Sequence, residues 1–349
     1  MRKILIGFLI LASTVSSWSQ TKVSTISQGE QPQASLDTKG LIRVVFGQVD
    51  KVFCVTSNDG GLTFSNPVLV AEVPGMHLGM SRGPQIASSD TKSVITAMDK
   101  TGNIHWFELS GKSTSWKAKG VVNDQIGTAP EGLMSIAADK KDNFYAVWLD
   151  TRIGKRNQIY FSSLSEGGSN WSKNHLAYQS PDEHVCECCK PSIAVNGTEV
   201  AIMFRNWLDG SRDLYLTKSS DRGKSFGIAQ KLGLGTWKLE GCPMDGGGIV
   251  IDDAKGIHTT WRREGMVYYS KPGAVEVKIG EGRNSSISGT SDTILISMQS
   301  GDAVKSVSLT DKYDNTIGKG SYLKSIILDD KTVFYIWEQD RQIKFHKAE

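Results

Sequence analysis

Apolar and polar positions alternate along this chain in short runs, and helical periodicity is almost absent. β-Branched and aromatic stretches are separated by Gly, Asp, Asn and Ser, which predicts short strands joined by tight turns. One unit repeats: a small or Pro-led strand, a turn, an apolar strand, a polar loop, then an aromatic strand. It is clearest where Pro191-Ser-Ile-Ala-Val195, Glu199-Val-Ala-Ile-Met-Phe-Arg205 and Asp213-Leu-Tyr-Leu-Thr-Lys-Ser219 follow one another, and again from Leu133 through Trp148 to Ser162. Weaker copies start near Gln33, Pro84, Gly247, Ser285 and Tyr322. A period of roughly 40–60 residues suits the four-stranded blades of a β-propeller. The expectation is an all-β fold with one propeller domain over residues 20–349. Seven blades follow from the unit count, and the short fifth and sixth units leave six open. The last unit stops at Phe345-His346 without an outer strand, so the unassigned segment from Thr21 to Ser27 is expected to close the ring by supplying it.

Two turns refine this picture. Ser57-Asn-Asp59-Gly-Gly61-Leu-Thr63-Phe64 and Ser219-Ser-Asp221-Arg-Gly223-Lys-Ser225-Phe226 share the pattern Ser-x-Asp-x-Gly-x-Ser/Thr-Phe. Ser and Asp side chains cap backbone amides there, and Gly admits a positive φ. Ser163-Leu-Ser-Glu-Gly167-Gly-Ser-Asn-Trp171 is a degenerate third copy. These strings are the Asp-box, or BNR, motif, and by them the chain resembles the sialidase superfamily of propellers. The resemblance implies that the motif joins the third and fourth strands of a blade and that ligands bind on the opposite face.

Strand alternation then assigns the loops to faces. Links from one blade to the next lie on the ligand face. They carry Met76-His77-Leu-Gly-Met80-Ser-Arg82-Gly-Pro84, Ala129-Pro-Glu131-Gly, Cys186-Glu-Cys188-Cys189, Cys242-Pro-Met244-Asp245 and Glu281-Gly-Arg283. Loops between second and third strands share that face and add Arg152, Arg205, Arg212 and Arg262. The arginines Arg82, Arg152, Arg205, Arg212, Arg262 and Arg283, together with Asp245, are therefore the candidate binding set for a small anionic or glycan ligand.

Thiols are the sharpest chemical signal. Cys54 sits mid-strand and reads as core. Cys186, Cys188, Cys189 and Cys242 fall in two links that precede neighbouring blades, so they are expected to converge. Three accounts stand open: disulfides, a soft metal, or a redox or free-thiol role. A Cys188–Cys189 bridge would be a strained eight-membered ring. A tight Cys-x-Cys-Cys run favours copper as Cu(I), with His77, His184 or Met244 as further ligands.

Composition narrows the partners. Residues 1–19 read as a secretory signal: Arg2 and Lys3, an apolar run, then Ser17-Trp-Ser19, all consistent with a periplasmic or extracellular protein. That run is too short to span a bilayer, so stable membrane insertion is not expected. The net charge of +3 is spread without a basic stripe, which argues against nucleic acid. Oligomeric state is not legible.

The resemblance also implies an exo-α-sialidase-type hydrolase as an alternative, with Arg82 in the place of the first carboxylate-gripping arginine, Tyr322 as nucleophile and Glu131 as its activator. Ser81-Arg82-Gly83-Pro84 departs from the family's Arg-Ile-Pro motif, and no acidic loop follows Asp99-Lys100. A noncatalytic binder with stapled cysteines is the third reading. The leading expectation is a ligand-face site that combines a cysteine-rich, copper-type centre with arginines for an anion.

Overall fold

The structure, a computed structural model, describes residues 23–111 and 113–348. The expected signal segment lies outside them. Seven antiparallel four-stranded sheets form the molecule. Blade 1 spans residues 30–72, blade 2 85–121, blade 3 134–178, blade 4 192–231, blade 5 248–281 and blade 6 283–319. Blade 7 takes three strands from residues 321–348, and its outer strand is Ser24–Gln28. That strand pairs Ser24 with Phe345 and Gln28 with Gln342, so the chain's first described strand locks onto its last. The six-blade alternative falls, because the short fifth and sixth units each complete four strands.

Each blade's first strand is innermost, and consecutive innermost strands touch around the ring, the seventh against the first. Space near the axis is tight, which explains why these strands read as small residues. Their serines bridge blades: Ser35 Oγ meets Ser88 Oγ at 2.7 Å, Ser288 Oγ meets Ser325 Oγ at 2.7 Å, and Ser192 Oγ donates to the Gly247 carbonyl at 2.9 Å. Apolar layers fill the gaps between sheets further out, where Trp106, Trp148, Trp261 and Trp337 are all but fully buried. Truncating one such indole to Ala costs about 3–5 kcal/mol.

The two Ser-x-Asp-x-Gly turns join third to fourth strands in blades 1 and 4. In the second, Asp221 accepts from Ser219 Oγ at 2.6 Å, Ser225 Oγ at 2.6 Å and the Ser225 amide at 3.0 Å. Those donors hold its carboxyl well below the usual carboxylate range. A Cβ at Gly223 (φ +79°) would stand 2.2 Å from the Phe161 ring, so this turn requires glycine. Phe226 then packs edge-on against Phe161 of blade 3 at 5.1 Å, and Phe64 likewise against Phe345 of blade 7 at 5.0 Å. In an antiparallel blade the links between blades leave from the opposite face, which is where both cysteine segments lie.

Candidate functional site: a thiol cluster beside a lysine-lined channel

The link from blade 3 to blade 4 runs from Tyr178 to Ser192 and carries Cys186, Cys188 and Cys189. It is pinned beside the second strand of blade 4. Val185 pairs with Asn206, and the Cys186 amide donates to the Arg205 carbonyl at 3.0 Å. The local turn brings the three sulfurs within 4.8 Å of one another. Cys186 Sγ lies 3.7 Å from Cys188 Sγ and 3.5 Å from Cys189 Sγ, and all five cysteines are unbonded. Cys186 and Cys189 are buried, while Cys188 is partly open to solvent.

The three sulfurs are not equivalent. Arg212 Nη1 donates to Cys186 Sγ at 3.0 Å. Hydrogen bonding with Cys188 and Cys189, with the Arg205 and Arg212 charges behind it, holds the Cys186 thiol well below its ordinary pKa. Its neighbours move the other way: Cys188 rises through its bonds to the other two sulfurs, and burial pushes Cys189 up to about 12. Cys186 is thus the most acidic of the three sulfurs, and Arg212 is the charged partner that faces it.

Cys242, His77 and His184 fall outside this set. Cys242 is exposed and lies outside the 4.8 Å group, so the expected four-thiol site is a three-thiol site. His77 is turned to the Pro130 carbonyl at 2.9 Å, beside the next blade. His184 meets the Val185 carbonyl at 2.9 Å and stacks on Trp207. Met244 lies in the same blade 4 to blade 5 link as Cys242, at a positive φ of 53°.

The arginines divide by what they already hold. Arg205 is 1% exposed and donates to the carbonyls of Asp245, Arg212 and Arg262 at 2.6–3.2 Å. It braces the loop framework and has little left for a ligand. Arg152 is likewise committed, to Asp150, Asp124 and Asn174, over the Tyr160 ring. Arg212 faces the thiols. Arg262 lies over Trp237, and Arg283 is exposed. Arg152 and Arg205 thus act as braces and Arg212 faces Cys186, while Arg82 Nη1 and Arg262 Nε have no hydrogen-bond partner among the described residues.

The hydrolase constellation is brought together in part. Arg82 Nε donates to the Glu131 carbonyl at 2.6 Å, and its Nη2 is 3.8 Å from the Glu131 carboxylate. Burial raises the Glu131 pKa. Tyr322 lies elsewhere, in the channel wall, whereas Arg82 lines an outer hollow with His77, Met80 and Lys100.

The channel sets Asp245 and Tyr322, both expected site residues, beside others that the sequence reading passed over. A cavity near the axis is lined by Gln31, Ser81, Lys190, Asp245, Ser285, Tyr322 and Lys324, among others. Lys190 directly follows the thiol run and donates to Gln85 Oε1 at 3.1 Å. Burial and the Lys324 charge push Lys190 down to about 7, and burial pushes Lys324 down to about 8. Gly246 is why the two links can meet here: a Cβ would stand 1.9 Å from the Lys190 carbonyl oxygen. The Gly246-Gly-Gly248 run thus serves close backbone approach, as its place before an inner strand predicts. Lys324, Gln31 and Ser285 carry no motif. Their one signal is a shared position at the start of an inner strand.

No protein-family model matches this chain, and no curated protein matches it. Solved structures do resemble it in fold. The BP39L lectin from Burkholderia pseudomallei superposes with a TM-score of 0.68 at 9% identity, covering 92% of this chain and 95% of that one. The Hadza microbial sialidase Hz136 gives 0.54 at 12% identity, covering 92% of this chain and 66% of the sialidase. Virginiamycin B lyase from Staphylococcus aureus gives 0.55 at 11%, covering 95% and 100%. A lectin, a sialidase and a lyase on one scaffold establish the propeller and leave the activity to the site.

Proposed function

We propose that this chain is an exported propeller that binds a soft metal ion, copper as Cu(I), on Cys186, Cys188 and Cys189. The observation that carries the reading is the spacing of the sulfurs. Three sulfurs each about 2.3 Å from a common ion stand about 3.8–4.0 Å apart. Separations of 3.5 and 3.7 Å need only a small expansion to admit one. Thiolates suit Cu(I), and a three-sulfur set suits its low coordination number. Arg212 offsets part of the negative charge that three thiolates would bring, and the partly open Cys188 gives the ion a way in. Cys186 and Cys189 also have the Cys-x-x-Cys spacing used by zinc, so zinc is the competing ion.

The test is elemental analysis of the full chain, exported and purified, beside a free-thiol titration. About one copper per chain is expected, with loss of that copper in Cys189→Ser. Stoichiometric zinc in place of copper would overturn the choice of ion. Metal-free protein with its clustered cysteines oxidised would overturn the site.

A glycan or other small ligand on the same face is the second reading, favoured by the fold's likeness to a lectin and a sialidase and by the Arg82–Glu131 pair. Cleavage of a fluorogenic sialoside that disappears in Arg82→Ala would bring the hydrolase forward. No cleavage by the wild-type chain would remove it.

A further inference from the structure

The channel cavity touches the thiol link at Lys190 alone, and its construction is unusual. In blades 1, 6 and 7 the innermost strand opens with a register shift, between Glu30 and Gln33, Arg283 and Ser286, and Ser321 and Lys324. Within each bulge a non-glycine residue takes a positive φ: Gln31 at 55°, Asn284 at 52° and Tyr322 at 60°. All three line the cavity. Such conformations cost about 1–3 kcal/mol each, and bulges re-aim side chains next to sites. The same strained device, used three times around one small cavity, marks a place the chain holds in shape.

The lining is set for negative charge. Lys190 enters from the link into blade 4 and Lys324 from blade 7, across the ring, and Asp245 is the single carboxylate among the lining residues. Asp245 is pinned by the Gly247 amide at 3.3 Å and the Asn284 amide at 2.7 Å. Two lysine amines face one carboxylate, so the lining has more cation-forming donors than carboxylate acceptors. Two further donors are idle: Gln31 Nε2 and Ser285 Oγ are buried without a hydrogen-bond partner among the described residues. Gln31 is 2% exposed and Ser285 4%. Buried donors left unpaired are costly, and natural structures rarely keep two in one cavity.

We propose that this cavity binds one small monovalent anion, held by Lys190 and Lys324 with Gln31 Nε2 and Ser285 Oγ as neutral donors. The space is about 30 Å³ by the measure in which a single water needs 10–15 Å³, which excludes a sugar ring and admits a halide or the acidic head of a larger ligand. A free inorganic anion and a carboxylate head share this chemistry, and the experiment separates them. The site stands whether or not the thiols hold metal.

Calorimetric titration of the full chain with chloride and with acetate tests it. A saturable single-site isotherm is expected from one or both. Chloride alone identifies a free ion, and tighter acetate binding identifies a carboxylate head. Lys324→Met should weaken binding at least ~10-fold, and Ser285→Ala several-fold. Removing Lys324 relieves a repulsion in the empty site, so its fold should survive, which circular dichroism checks. No saturable heat from either anion, or full binding in both variants, would overturn the proposal.

Discussion

The thiol cluster and the lysine channel share a face and meet at Lys190, yet they are made in opposite ways. Three of the four residues from Cys186 to Cys189 are cysteines, and one turn gathers them before any ring needs to close. Lys324, Gln31 and Ser285 come from three blades and Lys190 from the link into a fourth, so they meet only across the closed ring. Local clustering makes a site whose chemistry survives modest movement of the blades. Ring assembly makes one whose charges depend on every interblade contact. The first is tuned by immediate neighbours, Arg212 above all; the second by strain built into three separate strands.

The sharpest way to break that contrast is to strike the point where the two regions touch. Gly246→Ala would place a methyl 1.9 Å from the Lys190 carbonyl oxygen, a backbone contact that no rotamer relieves. A loss of about 3 kcal/mol of stability is expected, read from chemical denaturation. Anion binding should suffer most, because Lys190 moves relative to the other blades. The thiols, gathered within one link, should retain metal. Equal loss of both would show that the two regions are one unit.

A gentler probe separates the channel by its titration. Lys324 has its folded-state pKa lowered from 10.5 to about 8 by burial, against the favourable charge of Asp245 and beside Lys190. A base depressed in the folded state carries its penalty wherever both states are protonated, below about pH 8. As the pH rises from about 8 towards 10.5 the unfolded chain binds more protons, so stability rises. The gain attributable to Lys324 should be about 2 kcal/mol, below the full shift because the channel admits solvent. Denaturation at pH 7.5 and pH 9.5 should show that slope in the wild type and less of it in Lys324→Met. An unchanged slope would mean that Lys324 is solvated.

These two regions also explain what could be read from the chain alone. The propeller, its seven blades and the closing N-terminal strand follow from strand periodicity and turn chemistry, because each blade is a local unit repeated. The thiol run was visible for the same reason: its members are neighbours in sequence. Cys242 was expected to join it because two links of adjacent blades converge, but convergence of links does not fix where a side chain ends. The arginines misled in a related way. Arg205 and Arg152 have the right loop addresses, while their guanidiniums are consumed by carbonyls and carboxylates that only the folded ring presents. Gln31, Ser285 and Lys324 were missed because each is ordinary in its own strand. Only superposing the starts of the inner strands would have shown them facing one axis.

The smallest expected effect comes from the opposite face and serves as the control for the comparison. Ser219 Oγ accepts from the Gly223 amide at 2.8 Å and donates to Asp221 at 2.6 Å, closing a turn that packs Phe226 onto blade 3. Ser219→Ala removes these bonds, and the one accepted from the Asp221 amide at 3.2 Å, from a buried hydroxyl and should cost about 1 kcal/mol. The turn lies between strands of a single blade, so the loss should remain within blade 4 and its contact with blade 3. Metal content and anion affinity should both match the wild type. If anion affinity falls while metal content holds, strain passes from the turn face to the axis through the blade. The lysine channel would then report on the whole ring, and the thiol cluster only on its own link.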